Sequence, residues 1–145
     1  MIKERFKSVI CADILIKKII DGKECTLLMK RKNTGSNDGE YELPGGHLEA
    51  NEDIFDAMIR EVKEELLINL TREDIKIIHL MHHYTGERLN FIFEADGTNL
   101  KPEIGEKNKC SELRWAAMES LPSETTAKVK LIINNILENK FYDKL

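Results

Sequence analysis

Residues 45–68 read GGHLEANEDIFDAMIREVKEELLI, and the rest of the chain can be read outward from them. Between Asp53 and Leu66 the apolar residues Phe55, Met58, Ile59, Val62 and Leu66 fall at offsets 0, 3, 4, 7 and 11. That is one stripe of an amphipathic helix. Asn51 is placed to cap its start, and Glu52 and Asp53 suit the positive end of the helix dipole. Glu61, Glu64 and Glu65 stand at offsets 0, 3 and 4, so they share one flank of the helix. Three like charges packed this closely repel one another, and a divalent cation turns the repulsion into attraction. Hard carboxylate oxygens suit Mg²⁺ or Mn²⁺, and Mg²⁺ retains waters and bridges to phosphate. The plainer reading of a Glu-rich helix is a solvated charged face.

On either side of this helix, strand-like and turn-like segments alternate. Phe6–Ile20 is rich in Val and Ile, Asp21-Gly22 marks a turn, and Cys25–Lys30 returns as an apolar segment. These predict a β-hairpin. Asn33–Gly39 is polar and glycine-rich, hence an exposed loop. Ile75–Tyr84 and Leu89–Ala95, joined through Thr85-Gly86-Glu87, predict a second hairpin. Leu89, Phe91, Phe93 and Ala95 share one face of its return strand, and Asn90, Ile92 and Glu94 the other. Asp96–Lys109 reads as a loop and Leu113–Ala116 as a short strand. Ser123 then caps a final helix carrying Val129, Ile132, Ile133, Ile136 and Leu137. Strands on both sides of a central helix predict an α/β (α+β) class, with a mixed sheet covered by helices on both faces.

A length of 145 residues is that of one domain, large enough to bury a core without disulfides. Its 41% hydrophobic and 33% charged residues place it among soluble globular proteins. No apolar run approaches the roughly 18–20 residues of a membrane span. Val9–Ile16 carries Asp13 and precedes Lys17-Lys18, which reads as a strand and not a signal peptide. Cys11, Cys25 and Cys110 form no CxxC pair, so neither a zinc site nor a disulfide framework is indicated. Three reduced thiols suit the cytoplasm. A net charge of −4 excludes a dominant basic surface and, with it, bulk binding to nucleic acid. That acidity is local. Residues 40–65 hold nine acids and two bases, a balance of −7, whereas the remaining 20 bases and 17 acids leave +3. A bound divalent cation would reverse the local sign, so phosphate remains a suitable partner.

The order of residues around the acids narrows the choice. Gly46, five residues, Glu52, seven residues, and then Arg60-Glu61-Val62-Lys63-Glu64-Glu65-Leu66 with apolar Ile68 resembles the signature box of the Nudix hydrolases. Leu67 stands where the family has its second glycine; every other defining position matches. The preceding hairpin, Leu43-Pro44-Gly45-Gly46, and an acidic loop ahead of Leu113-Arg114-Trp115 extend the likeness. A glycine after a helix serves as its left-handed terminator, a conformation that Leu tolerates poorly. Asn69 tolerates it better, which predicts that the helix ends later here.

The resemblance implies a Nudix-type α/β/α sandwich, one hydrolase domain over residues 1–145 with its box at 46–68. It also implies hydrolysis of a nucleoside diphosphate linked to another moiety, with Mg²⁺ or Mn²⁺ as cofactor. Glu61, Glu64 and Glu65 would be metal ligands together with the backbone carbonyl of Gly45. One of these, or a loop carboxylate, would activate the attacking water. Gly46, Glu52 and Arg60 would organise the box, Arg60 by a bidentate carboxylate pair. Glu106 is the candidate for the extra acid that many members place opposite the box, with Glu103 and Glu112 as competitors. Arg31 stands where members often place a cation against substrate phosphate; the alternative is a surface arginine. His82 and His83, neighbours on a strand, point to opposite faces and cannot chelate one metal together. Trp115 reads as core and Cys110 as an inert thiol. Small size, as in MutT-like members, favours a (deoxy)nucleoside triphosphate pyrophosphohydrolase releasing nucleoside monophosphate and pyrophosphate. ADP-ribose, a nucleotide sugar or a dinucleoside polyphosphate is the alternative substrate. A non-catalytic nucleotide-binding module of the same fold would be expected to have lost box carboxylates, and all are present here. The partner is thus a small nucleotide, with no nucleic acid or membrane, and the resemblance admits a homodimer.

Overall fold

A computed structural model describes residues 2–145. Strand β1 (Val9–Ile20) and strand β2 (Lys23–Arg31) form the first predicted hairpin, in register from Lys17↔Thr26 to Ile20↔Lys23. Its two-residue turn places Asp21 at φ 51° and Gly22 at φ 77°, the pair of positive angles that matches the twist of flanking strands. Two very short strands follow, β3 (Tyr41–Glu42) on β2 and β4 (Gly45–His47) on β1. Beyond helix α1 (Ile54–Leu66), strands β5 (Lys76–His83) and β6 (Arg88–Asp96) form the second hairpin. Strands β1 and β6 run parallel from Val9↔Arg88 to Lys17↔Asp96 and so join the two hairpins. Strand β7 (Cys110–Ala117) pairs with β2, and β8 (Tyr142–Lys144) adds an edge to β5 after helix α2 (Ala127–Leu137). The main path of the eight-stranded mixed sheet is β3-β2-β1-β6-β5-β8.

Successive side chains of a strand point to opposite faces, and here both faces are covered. Ala12, Ile14, Ile16, Leu27, Met29, Phe93 and Ala95 pack with Met58, Val62 and Leu66 of α1. Leu15, Leu28, Met81, Ile92 and Ala116 pack with Val129, Ile132 and Ile133 of α2. The result is the predicted α/β/α sandwich. Each fully buried Val, Leu, Ile, Met or Phe among them contributes about 1.5–3 kcal/mol over its exposed state. Phe93 sits at the centre of the first core, edge-on to Phe55 with ring centroids 5.1 Å apart.

Three helix boundaries differ from the sequence reading. The N-cap of α1 is Asp53 and not Asn51: Asp53 accepts from the Asp56 N–H at 2.9 Å, and Asp56 accepts from the Asp53 N–H at 3.1 Å. Asn51 lies two residues upstream at φ 65°, turning the chain toward the cap. Thr126, not Ser123, caps α2 through the Val129 N–H. Helix α1 does not run on to Asn69. It stops at Leu66, and Leu67 itself takes the left-handed conformation, φ 56° and ψ 37°, with its N–H on the Lys63 carbonyl at 3.2 Å. Burial explains the early stop, because Ile68 and Leu70 are drawn into the first core. A left-handed leucine costs about 1–2 kcal/mol relative to a right-handed conformation.

Arg72 adds two contacts to the α1 cap, at 2.8 Å to Asp53 and 3.2 Å to Asp56. Its guanidinium, with the cap hydrogen bond, holds the Asp53 carboxyl down at about 2, against 3.8 ordinarily. Asp53→Ala is therefore expected to lower the melting temperature at neutral pH more than Asn51→Gly, since glycine keeps the φ of residue 51 without strain. A depressed carboxyl contributes fully above its unfolded value, so the deficit of Asp53→Ala should close as pH falls from 3.8 toward 2. Thermal melts across that range check both, and an equal loss in the two variants would contradict the cap assignment.

Candidate active site

Strand β4 lies between β1 and the acidic flank of α1. It pairs with β1 as Cys11↔His47, Ala12↔Gly46 and Asp13↔Gly45. A β-carbon at Gly45 would overlap the Ala12 carbonyl and the Asp13 carboxylate, and one at Gly46 would overlap the Glu61 carboxylate. Both positions require glycine for close approach.

Arg60 ties this strand to the helix. Its Nε and Nη2 donate to the two oxygens of Glu52 at 3.1 and 2.7 Å, the expected bidentate pair. Nη2 also reaches the His47 carbonyl at 3.0 Å, and Nη1 donates to Glu61 at 2.8 Å. Glu52 accepts from the Glu49 N–H as well, and the Arg60 hydrogen bonds hold its carboxyl below the usual range.

The three helix acids occupy graded environments. Glu65 points inward and accepts the Gly45 N–H at 2.9 Å. Burial, and then the charge of Glu61, push its carboxyl up to about 9. Glu61 is raised by burial too, against the opposing hydrogen bond from Arg60. Glu64 is 51% exposed, with its carboxylate 3.6 Å from Arg60 Nη1.

Above the helix end, the loop after β6 is stitched to α1. The Glu103 N–H bonds the Leu66 carbonyl at 3.0 Å, and the Gly105 N–H bonds the Glu65 carbonyl at 2.8 Å. Glu106 follows immediately, and its charge raises both Glu61 and Glu65. Glu112 is taken up elsewhere, accepting the Tyr41 hydroxyl at 2.6 Å. Arg31 is in register with Cys110, four residues beyond Glu106, and its Nε donates to the Ser36 carbonyl at 2.7 Å within the Asn33–Gly39 loop. The structure thus brings Gly45, Glu61, Glu65 and Glu106 near one another, with Glu64 on the exposed side of α1 and Arg31 held by the Asn33–Gly39 loop.

The remaining candidates take up other contacts. His82 Nδ1 meets the Tyr142 hydroxyl at 3.0 Å, and burial lowers the pKa of His83. Trp115 packs against the first core, with Lys18 Nζ 4.2 Å above its ring. Cys110 is buried, and burial pushes its thiol up. One residue escaped the sequence reading as a site component: Asp13, buried beneath Gly45 and accepting Asn90 Nδ2 at 2.6 Å. Its only signal was an acid inside an apolar strand.

Among the described residues no three His, Cys, Asp or Glu side chains converge on one point as they stand. Glu61 and Glu65 are bonded to Arg60 and Gly45 instead. The donor set nonetheless fits a hard divalent cation by its chemistry: all-oxygen, mutually repelling, and including a carboxyl that stays protonated at neutral pH unless positive charge approaches it.

A profile of the NUDIX domain family matches residues 12–135. The chain belongs to that family. It is similar in structure to a MutT NUDIX hydrolase from Burkholderia pseudomallei, with 26% identity over 90% of this chain and 98% of that one and a TM-score of 0.74. The NUDIX domain of Shewanella oneidensis NrtR complexed with ADP ribose shares the fold at 16% identity, over 90% and 87% of the two chains, with a TM-score of 0.72. A C. elegans Ap4A hydrolase in a binary complex does so at 19% identity, over 90% and 96%, with a TM-score of 0.66. Family membership supports a hydrolase acting on a nucleotide-derived substrate. Among the described residues no helix is long and apolar enough to cross a membrane.

The raised carboxyl of Glu65 has a thermodynamic signature. The unfolded chain ionises it near 4.5 and the folded one only near 9, so its contribution to stability is full below 4.5 and is lost as pH rises toward 9. Glu65→Gln cannot ionise and is expected to melt higher than the parent at pH 8 without divalent cation. Excess Mg²⁺ should then raise the parent's melting temperature and leave the variant's nearly unchanged. An equal Mg²⁺-dependent rise in both would remove Glu65 from the ligand set.

Proposed function

We propose that this chain is a divalent-metal-dependent hydrolase of a nucleoside diphosphate linked to a second moiety. The observation that supports it most is the proximity of Gly45, Glu61, Glu65 and Glu106 at the C-terminal half of α1, with Glu65 at about 9. Gly45, through its carbonyl, and Glu61, Glu64 and Glu65 would hold Mg²⁺ or Mn²⁺. When bound, such an ion withdraws charge from the phosphoryl oxygens and lowers the pKa of nearby water. Arg60 keeps Glu61 oriented and β4 in place, so the ligand flank is preorganised before substrate arrives. Arg31 would bind a phosphate oxygen from the margin. Glu106 or one of the box carboxylates would take the proton as water forms its new bond to phosphorus and the P–O–P bridge breaks, the departing phosphate carrying the bridging oxygen.

ADP-ribose and dinucleoside polyphosphates are the first substrates to test. Structures of the same fold are described as complexed with ADP ribose or as an Ap4A hydrolase, which supports this class ahead of the triphosphates favoured by chain length. Likeness to the B. pseudomallei MutT NUDIX hydrolase keeps (deoxy)nucleoside triphosphates as the second class. The three buried, unpaired thiols are consistent with a reducing, cytoplasmic setting.

Incubation with ADP-ribose, dinucleoside polyphosphates, nucleotide sugars and triphosphates, each with Mg²⁺ and Mn²⁺, should yield a nucleoside monophosphate or the products of cleaving a phosphoanhydride bond. Glu64→Gln, at an exposed position, is expected to cost on the order of 10²-fold in turnover with little loss of stability. Glu106→Gln is expected to lower turnover on the order of 10²-fold while the melting temperature changes little. Tight binding of one nucleotide without turnover by any metal would instead establish a binding module.

A further inference from the structure

Leu67 is an outlier on three counts. It adopts φ 56° and ψ 37°, a left-handed conformation that glycine takes without penalty. It leaves 55% of its surface exposed, so packing offsets little of that penalty. It also stands in the box where the family pattern has glycine. Residues held in such conformations persist when the surrounding structure requires them, and they collect at functional sites.

What the side chain touches supplies the reason. A β-carbon placed on Gly105 would overlap the Glu64 carbonyl oxygen on one side and stand 3.2 Å from Leu67 Cδ2 on another. Gly105 therefore occupies a slot whose wall on one side is the last turn of α1 and on another the leucine methyl. Its N–H enters the Glu65 carbonyl, and the next residue is Glu106. A glycine at position 67 would leave the slot open on that side.

We propose that Leu67 is a positioning residue: its side chain closes the slot that grips Gly105 and so fixes the approach of Glu106 to the box carboxylates. The catalytic part of this inference rests on the function proposed above; the mechanical part does not. Backbone strain at Leu67 is then the cost of holding the 103–106 loop against the helix. Because strain and grip belong to one residue, removing the side chain should separate stability from activity. A residue that merely terminates a helix would not separate them.

The test uses the full chain with Leu67→Gly and Leu67→Met. Leu67→Gly relieves the strained backbone and is expected to raise the melting temperature by roughly 3 °C. In the same variant the Glu103 and Gly105 amides should exchange with solvent on the order of 10-fold faster, while amides within α1 keep their protection. On a nucleotide that the parent cleaves, kcat should fall on the order of 10-fold with KM changed much less. Leu67→Met, which keeps an apolar side chain long enough to reach Gly105, should retain both the exchange protection and kcat. Unchanged exchange at Glu103 and Gly105 in Leu67→Gly overturns the proposal, as does faster exchange with kcat intact. If the parent cleaves none of the nucleotides, the proposed function fails, and the exchange measurement still decides whether Leu67 grips the loop.

Discussion

Because Gly45 and Gly46 have no β-carbons, β4 can lie against β1 on one side and the carboxylates of α1 on the other, and much of the site follows from that approach. It puts the Gly45 N–H where Glu65 accepts it and brings the His47 carbonyl under Arg60. It also leaves room for the Glu61 carboxylate where a side chain on residue 46 would stand. A larger residue at position 45 would push β4 from β1, and one at position 46 would push it from the Glu61 carboxylate of α1. Strand β4 has only three residues, so this contact is maintained by the elements on either side and not by its own pairing.

Electrostatics reinforces the same geometry. Glu61, Glu64, Glu65 and Glu106 crowd the C-terminal half of α1, where the helix dipole is already negative, an arrangement that opposes folding. Two devices contain the cost. Arg60 neutralises the outer part of the cluster through Glu52 and Glu61, and burial keeps Glu65 protonated. The chain therefore folds with part of its acid load silenced.

How much of this the sequence disclosed depends on whether the cause is local. The first hairpin was legible because Asp21-Gly22 accepts two positive φ angles, and α1 because its apolar stripe repeats over three turns. The bidentate Arg60 pair and the roles of the two glycines came from the resemblance to the Nudix box, whereas the common flank of Glu61, Glu64 and Glu65 was legible from their spacing. Strands β3, β4 and β8 were not, since two- and three-residue strands exist only through partners distant in the chain. The cap of α1 shifted from Asn51 to Asp53 because Asp56 and Arg72 answer Asp53, and Arg72 is nineteen residues away. Leu67 was misjudged for a similar reason. Its conformation is imposed by the burial of Ile68 and Leu70 and by a loop forty residues further on, neither of which a local propensity contains.

The parallel seam between β1 and β6 has a kinetic consequence. Both hairpins can form from neighbours in sequence, but Val9 meets Arg88 only after nearly eighty intervening residues have been gathered in. Closing so long a loop costs entropy before any contact repays it. The turn-joined strands and α1 can therefore appear early, while the seam sets the pace of assembly. Glu106 lies beyond that seam in the chain, and its loop docks on the end of α1, so the two halves of the acidic site meet late in folding. A nascent chain emerging in order would hold the box helix long before it held the loop that completes it.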